Sequence, residues 1–180
     1  MDRKQRSRVT ILQMLHDRGY DAPDDPNAET LHLSKGGRSI KVMWPDEANI
    51  SAIKRVAAEM EAEDIHRVIL VVDSTITPSA KIAIRDLQKG GFYIEIFTVT
   101  ETQVNISHND LVPPHSLCTT STKESVLRAY AVQARQIPQI KKTDPMARYL
   151  GAMAGNMIQI VRDSETMPGK KMITYRMVVA

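Results

Sequence analysis

The chain is short of cysteine, glycine and proline and has no long apolar run, and each shortage removes a class of protein. A single cysteine, Cys118, in 180 residues excludes an internal disulfide framework and fits a reducing compartment such as cytosol or nucleus. Eight glycines and nine prolines are too few for a disordered linker protein. The longest apolar stretches, such as Val68–Val72, are about five residues, far below the roughly 20 that cross a bilayer. The charged start, Met1 to Arg8, leads into an amphipathic segment and carries no secretory signal pattern. No membrane partner is therefore expected. What is present is an ordinary globular mixture, 42% hydrophobic and 25% charged, long enough for two small domains. The net charge of +3 is uneven: residues 1–107 carry 14 Lys and Arg against 16 Asp and Glu, and residues 108–180 carry 10 against 5. A basic C-terminal half suits nucleic acid or an acidic groove on a protein, and charge alone does not separate these.

Periodicity places the elements. Val9, Ile11, Leu12 and Leu15 predict a helix over Arg3 to Arg18, closed by Gly19. Strands are expected at Thr30–Leu33 and Ile40–Trp44, joined by a hairpin loop over Ser34–Gly37. A helix from about Ala48 to Glu63 shows Ile53, Val56, Ala57 and Met60 on one face. Arg67–Asp73 reads as a buried parallel strand, Pro78–Lys89 as a helix and Phe92–Thr98 as a further strand. The N-terminal domain, residues 1–107, is thus expected to be α/β with a parallel-containing sheet and flanking helices. After Ser107 the pattern changes, and residues 108–180 read as a small α+β unit. Its expected parts are a helix through Ala131 started by a capping box at Ser121–Glu124, a strand at Ile137–Ile140, a helix capped at Asp144-Pro145, and a hairpin of Asn156–Arg162 with Lys171–Val179.

No strong catalytic pattern accompanies these elements. His108 and His115 lie near Cys118, but without a paired Cys-x-x-Cys a small buried thiol is the ordinary explanation. Asp46-Glu47 and the cluster Glu59, Glu61, Glu63 and Asp64 permit a metal-dependent nuclease to be imagined. The basic neighbours Lys54, Arg55 and Arg67 instead give the second cluster the look of a solvated face. Gly36-Gly37 and Gly90-Gly91 fit neither nucleotide fingerprint. No catalytic residue, metal or cofactor is expected. One turn offers a binding mechanism: Asp73 to Lys81 links a buried strand to a helix, with Thr77 as N-cap, Pro78 in the first turn, and Lys81 and Arg85 a turn apart. Free N–H groups and the positive helix end suit a phosphate there, although the same string also simply starts a helix well.

Asp144-Pro145-Met146-Ala147-Arg148-Tyr149-Leu150-Gly151, Arg162, Ser164-Glu165-Thr166 and Thr174-Tyr175-Arg176 resemble, in order and spacing, the subunit five family shared by the nuclear RNA polymerases, which includes an archaeal counterpart. Leu111-Val112-Pro113, His115 and Gln136-Ile137-Pro138-Gln139-Ile140 extend the resemblance over most of residues 109–180. The N-terminal half is similar to the eukaryotic jaw domain through Leu15–Tyr20 and Thr77–Lys81, with the stretch between Tyr20 and Ile40 shortened. Departures from the family pattern are Asn109, Gln139, Ala154 and Asp163, with Lys170-Lys171 lengthening the last turn; they suggest a lineage-specific paralogue or a viral copy.

The resemblance implies a non-catalytic polymerase subunit, acting in the nucleus or, for a viral copy, wherever the viral polymerase works. Its C-terminal assembly domain would bind the largest subunit and meet other polymerase subunits, with Asp144, Pro145, Arg148, Tyr149, Tyr175 and Arg176 as interface candidates. Its jaw would lie along downstream duplex DNA, with Thr77, Pro78, Ser79, Ala80, Lys81 and Arg85 as contact candidates, and could receive transcription factors. Two other classes stand beside this reading: a free-standing basic nucleic-acid-binding factor and the metal-dependent nuclease.

Overall fold

A computed structural model describes residues 2–73, 76–164 and 166–180. Ser74, Thr75 and Glu165, which belong to two of the strings named above, lie outside the described residues, as does Met1. The chain divides into two compact units, Met1–Val104 and Asn105–Ala180. The division falls slightly ahead of the expected one. Asn105 and Ser107 both bond the Tyr149 hydroxyl, at 3.1 Å each, and so fold with the second unit.

The first unit is built on a four-stranded sheet of order β1-β2-β3-β4: Thr30–Lys35, Arg38–Met43, Arg67–Val72 and Tyr93–Thr98. β1 and β2 form an antiparallel hairpin, and β2, β3 and β4 run parallel. Gly36 and Gly37 have φ of 53° and 77°, the geometry that a two-residue hairpin turn with right-handed strand twist requires. The strands therefore run up to Lys35 and Arg38, further than the loop expected over Ser34–Gly37. Parallel neighbours need crossovers, and α2 (Ile50–Ala62) and α3 (Pro78–Lys89) supply them. Both cover one sheet face, where Ile53, Val56 and Met60 of α2 and Ala80 and Ile84 of α3 share a cluster with Val68, Leu70 and Val72 of β3. Alternation turns Ile69 and Val71 to the other face, and both are buried.

Helix α1 (Arg3–Asp17) serves that second face. Arg18, just beyond it, makes two hydrogen bonds, 2.8 and 2.7 Å, to Glu95 of β4, whose neighbour Ile94 belongs to the α2–α3 side. Gly19, at φ 81°, ends the helix: its N–H reaches His16 O, and the Tyr20 N–H reaches Leu15 O, the paired bonds of a Schellman cap. The buried stripe of α1 is Ser7, Thr10, Ile11, Met14 and Leu15, whereas Val9 is exposed. The helix expected from the apolar spacing forms, but its buried stripe leaves out Val9 and takes in two polar residues, Ser7 and Thr10. Ser7 is buried with its hydroxyl 2.6 Å from Thr102 Oγ1, and a satisfied hydroxyl can take an interior place. Lys41 on β2 is a third buried polar residue, held by Glu59 and Glu63 of α2 at 3.0 and 2.7 Å.

The second unit is a mixed four-stranded sheet of order β5-β7-β8-β6, from His115–Leu117, Met157–Asp163, Lys171–Val179 and Gln139–Lys141. β7 and β8 form the expected hairpin, and β6 pairs parallel to β8. Helix α4 (Thr120–Ala129) packs Val126 with Met157 and Met177 on one face. Helix α5 (Pro145–Tyr149) packs Ala147 with Ile158, Ile160 and Val178 on the other. Two expectations shift. The α4 cap is Thr119, whose hydroxyl accepts the Thr122 N–H at 3.1 Å, so the Ser121–Glu124 pattern lies inside the helix. The cause is upstream, since the Cys118 N–H is held by Met157 O at 2.9 Å and the chain can turn only after it. The strand expected at Ile137–Ile140 runs instead over Gln139–Lys141. The Ile137 N–H bonds back to Ala134 O and Pro138 has no N–H to give, although its carbonyl accepts from Met177.

Candidate partner-binding groove

Helix α5 begins sharply. Asp144 Oδ1 accepts the N–H groups of Met146 and Ala147 at 2.9 and 3.3 Å, and Pro145 occupies the first turn, where a missing N–H costs nothing. It stops as sharply at Gly151, φ 63°, with the Gly151 and Ala152 N–H groups bonded to Arg148 O and Ala147 O. Five residues of helix span roughly 8 Å, whereas a nine-residue strand such as β8 spans roughly 30 Å. One short helix therefore cannot roof its sheet face. The Ile158–Val178 end lies under α5, and the other end is open.

That open end is a groove of about 840 Å³. Half-buried Ile140 gives it apolar surface over the buried Met146 and Ile160, Pro113 with His115 and Pro138 with Gln139 flank it, and Lys141, Asp144, Arg162, Thr174 and Arg176 add polar groups. Lys141, Arg162 and Arg176 are exposed. Asp144 lines it as well, with its Oδ1 engaged in the helix cap. Arg176 donates to Gln139 O at 3.1 Å, and the His115 Nδ1–H to Pro113 O at 2.5 Å.

The groove thus gathers Asp144, Tyr175 and Arg176 among the expected interface residues. It does not collect Pro145, Arg148 or Tyr149: Pro145 is exposed beside it, Arg148 is half-buried, and Tyr149 is 5% exposed with its hydroxyl engaged by Asn105 and Ser107. Tyr175 also backs onto the α4 side, edge-on to Tyr130 with ring centroids 6.3 Å apart. Burial, then Cys118 and Tyr130, push its hydroxyl pKa above the ordinary tyrosine value. Sequence reading passed over Lys141 and Ile160. The available signal was the two-residue period of β7, which sets Ile158, Ile160 and Arg162 on one face.

In the first unit, the turn before α3 keeps the expected cap: Thr77 Oγ1 accepts the Ala80 N–H at 3.3 Å, and Pro78 follows it. Thr77, Pro78, Ser79, Lys81 and Arg85 are exposed, whereas Ala80 is fully buried and belongs to the core.

The residues weighed for chemistry do not assemble. Glu59 and Glu63 are bound to Lys41, and Asp46 lies 3.4 Å from Lys4 on the surface. Among the described residues no group of three or more His, Cys, Asp and Glu side chains could hold a metal ion. Burial pushes the Cys118 thiol above its ordinary pKa, opposed by a hydrogen bond to the Gln159 backbone, which is the wrong direction for a nucleophile.

Residues 104–178 match the family described as RNA polymerase Rpb5, C-terminal domain. The chain is 36% identical to "DNA-directed RNA polymerases I, II, and III subunit RPABC1" of Caenorhabditis elegans, an alignment covering 97% of this chain and 94% of that protein. It is also 36% identical to the rpabc1 subunit of Dictyostelium discoideum, with 96% and 95% covered. Identity to "DNA-directed RNA polymerase subunit 5-like protein 1" of Arabidopsis thaliana is 33%, with 96% and 93% covered.

Proposed function

Because the chain belongs to the Rpb5 family of RNA polymerase subunits, we propose that it is a non-catalytic subunit of a DNA-directed RNA polymerase, docked on the largest subunit and steadying downstream DNA. The docking role falls to the C-terminal unit and the DNA role to the N-terminal unit, in the manner of an assembly domain and a jaw. The observation that carries the docking half is convergence. Pro113, His115, Gln139, Asp144, Arg162 and Arg176 are scattered along the C-terminal unit, yet all line one groove.

Support for the DNA half is an exposed helix N-terminus with Lys81 and Arg85 one turn apart, suited to backbone phosphates without reading sequence. The nucleus is the place of work that follows, and other polymerase subunits and transcription factors are the remaining partners. Tagged purification tests the reading. Stoichiometric co-elution with polymerase subunits is expected, and absence from every such complex would overturn it.

A further inference from the structure

We propose that the trough between α2 and α3, on the outer face of the first unit, receives one amphipathic helix of a transcription factor, with an acidic group at one end and a basic group at the other. The proposal rests on the reading of the chain as a polymerase subunit and adds the chemistry of a partner for the jaw. β2, β3 and β4 run parallel, so α2 and α3, which link them in turn, run in the same direction side by side. Their inner faces supply the core, and their outer faces leave a trough of about 710 Å³ with buried Ile53 in its floor. The surface above that floor is apolar and open to water. Ile82 is 57% exposed and Ile50 39%, Ala58 is exposed, and half-buried Leu87 and Phe92 line the trough with them. Exposed apolar side chains scattered singly are ordinary, but several sharing one concave surface mark an interaction site.

The form of the occupant follows from the walls. Both are helices, whose backbone groups are bonded internally, so an extended strand would find no ladder to join; a helix satisfies its own backbone and offers apolar side chains at three- and four-residue spacing. Its charge follows from the rim. Lys54 and Glu61, both exposed on α2, stand two turns apart, about 10 Å. Among the described residues neither is held in an ion pair, whereas Asp86 on α3 is held by Lys89 at 2.8 Å. A carboxylate near Lys54 and a cation near Glu61 complement that rim. Two exposed isoleucines between opposite charges have the size and polarity of a transient contact rather than of a permanent subunit interface, and a transcription factor is therefore the source. A nucleic-acid backbone would meet Glu61 and Asp86 without an excess of cations, and a second copy would bring an equal trough that leaves the hollow unfilled. Lys81 and Arg85 do not line the trough, so a docked factor leaves the flank of α3 proposed for DNA uncovered.

The test uses the tagged full-length chain in the assembled polymerase. A photo-cross-linking amino acid replaces Ala58, which lines the trough, and the cross-linked segment is mapped by mass spectrometry, then synthesised and titrated against the purified full-length chain by fluorescence anisotropy. The expected segment belongs to a transcription factor, has apolar residues at three- and four-residue spacing and carries opposite charges at its two ends. Ile82→Glu is expected to weaken its binding about tenfold or more. Lys54→Glu with Glu61→Lys is expected to weaken it several-fold, and exchanging the two charges of the peptide as well to recover the loss. Both variants should keep the wild-type thermal midpoint and recover polymerase subunits as wild type does; should Ile82→Glu lower the midpoint, the charge exchange, confined to exposed positions, decides. A cross-link to DNA, to a polymerase subunit or to a second copy of the chain, no cross-link at all, or binding indifferent to the charge exchange overturns the proposal and leaves the subunit reading intact. If the wild-type chain retrieves no polymerase subunit, the subunit reading itself falls and this proposal falls with it.

Discussion

Replacing Lys41 by methionine is expected to cost little, whereas removing its two partners is expected to cost much more. The Lys41 side chain is 5% exposed, among the apolar residues under α2, while Glu59 and Glu63 are 35% and 38% exposed. Exchanging a buried ion for a packed apolar side chain of similar length is often neutral or stabilising, and the two carboxylates can turn into water once released. Lys41→Met should therefore lie within about 1 kcal/mol of wild type. Glu59→Gln with Glu63→Gln strands the ammonium in the interior. The penalty for an uncompensated buried charge is about 3–5 kcal/mol, reduced here because solvent already reaches the carboxylates, so about 2–3 kcal/mol is expected.

The ammonium also has a pH signature. Burial pulls its pKa down, but hydrogen bonds and attraction from Glu63 and Glu59 outweigh that and leave it above the ordinary value of 10.5. A group raised on folding stabilises fully below its unfolded pKa, and the contribution is lost as pH rises toward the folded pKa. Wild type should thus lose more stability than Lys41→Met above about pH 10.5. Urea denaturation at pH 7 and across pH 9–11 measures both effects. A Lys41→Met protein less stable than the double glutamine variant would refute the reasoning.

Further predictions concern the cores, the caps and the thiol. Ile158, fully buried under α5, should cost about 2–4 kcal/mol as Ile158→Ala in the same denaturation assay, through transfer and cavity terms together. Asp144→Ala should lose about 1 kcal/mol and Asp144→Asn much less, because the amide oxygen can still cap. Changing Thr77, Pro78 and Lys81 together should weaken the hold of elongation complexes on downstream duplex without preventing assembly; unchanged salt sensitivity would argue against it. Cys118, half-buried with a raised pKa, should react with iodoacetamide several-fold more slowly in the folded chain than in urea at pH 7.5.

Elements whose cause is local were legible in the residues. Val68–Val72 is apolar at every position and became a buried central strand, Thr77-Pro78 fixed the start of α3, and the β7–β8 hairpin followed from alternation. Elements whose cause is tertiary were not. Nothing local marks Ser7 as interior, because its partner Thr102 lies at the far end of the first unit. Thr119 displaced the better-looking Ser121 only because Cys118 is pinned to Met157. The three residues of β5 have no pattern of their own and are a strand only because β7 lies beside them. The groove was half legible: the motif residues were visible one by one, but their shared position depends on α5 being too short for the sheet.

The strand order of the second sheet bears on the timing of synthesis. β8, last in chain order, is hydrogen-bonded on one side to β7 and on the other to β6, so the sheet has no centre until β8 has been made. Every strand of the first unit, by contrast, is complete by Thr98. At about 5–20 residues per second, translation of residues 105–180 takes roughly 4–15 s. During that interval a finished α/β unit is followed by a growing segment in which β5 waits for β7 and β6 for β8, and whose apolar Ile158 and Met157 wait for cover. The unit that makes the groove is therefore the last to fold, and a docking partner would first find its site only after β8 has taken the central position.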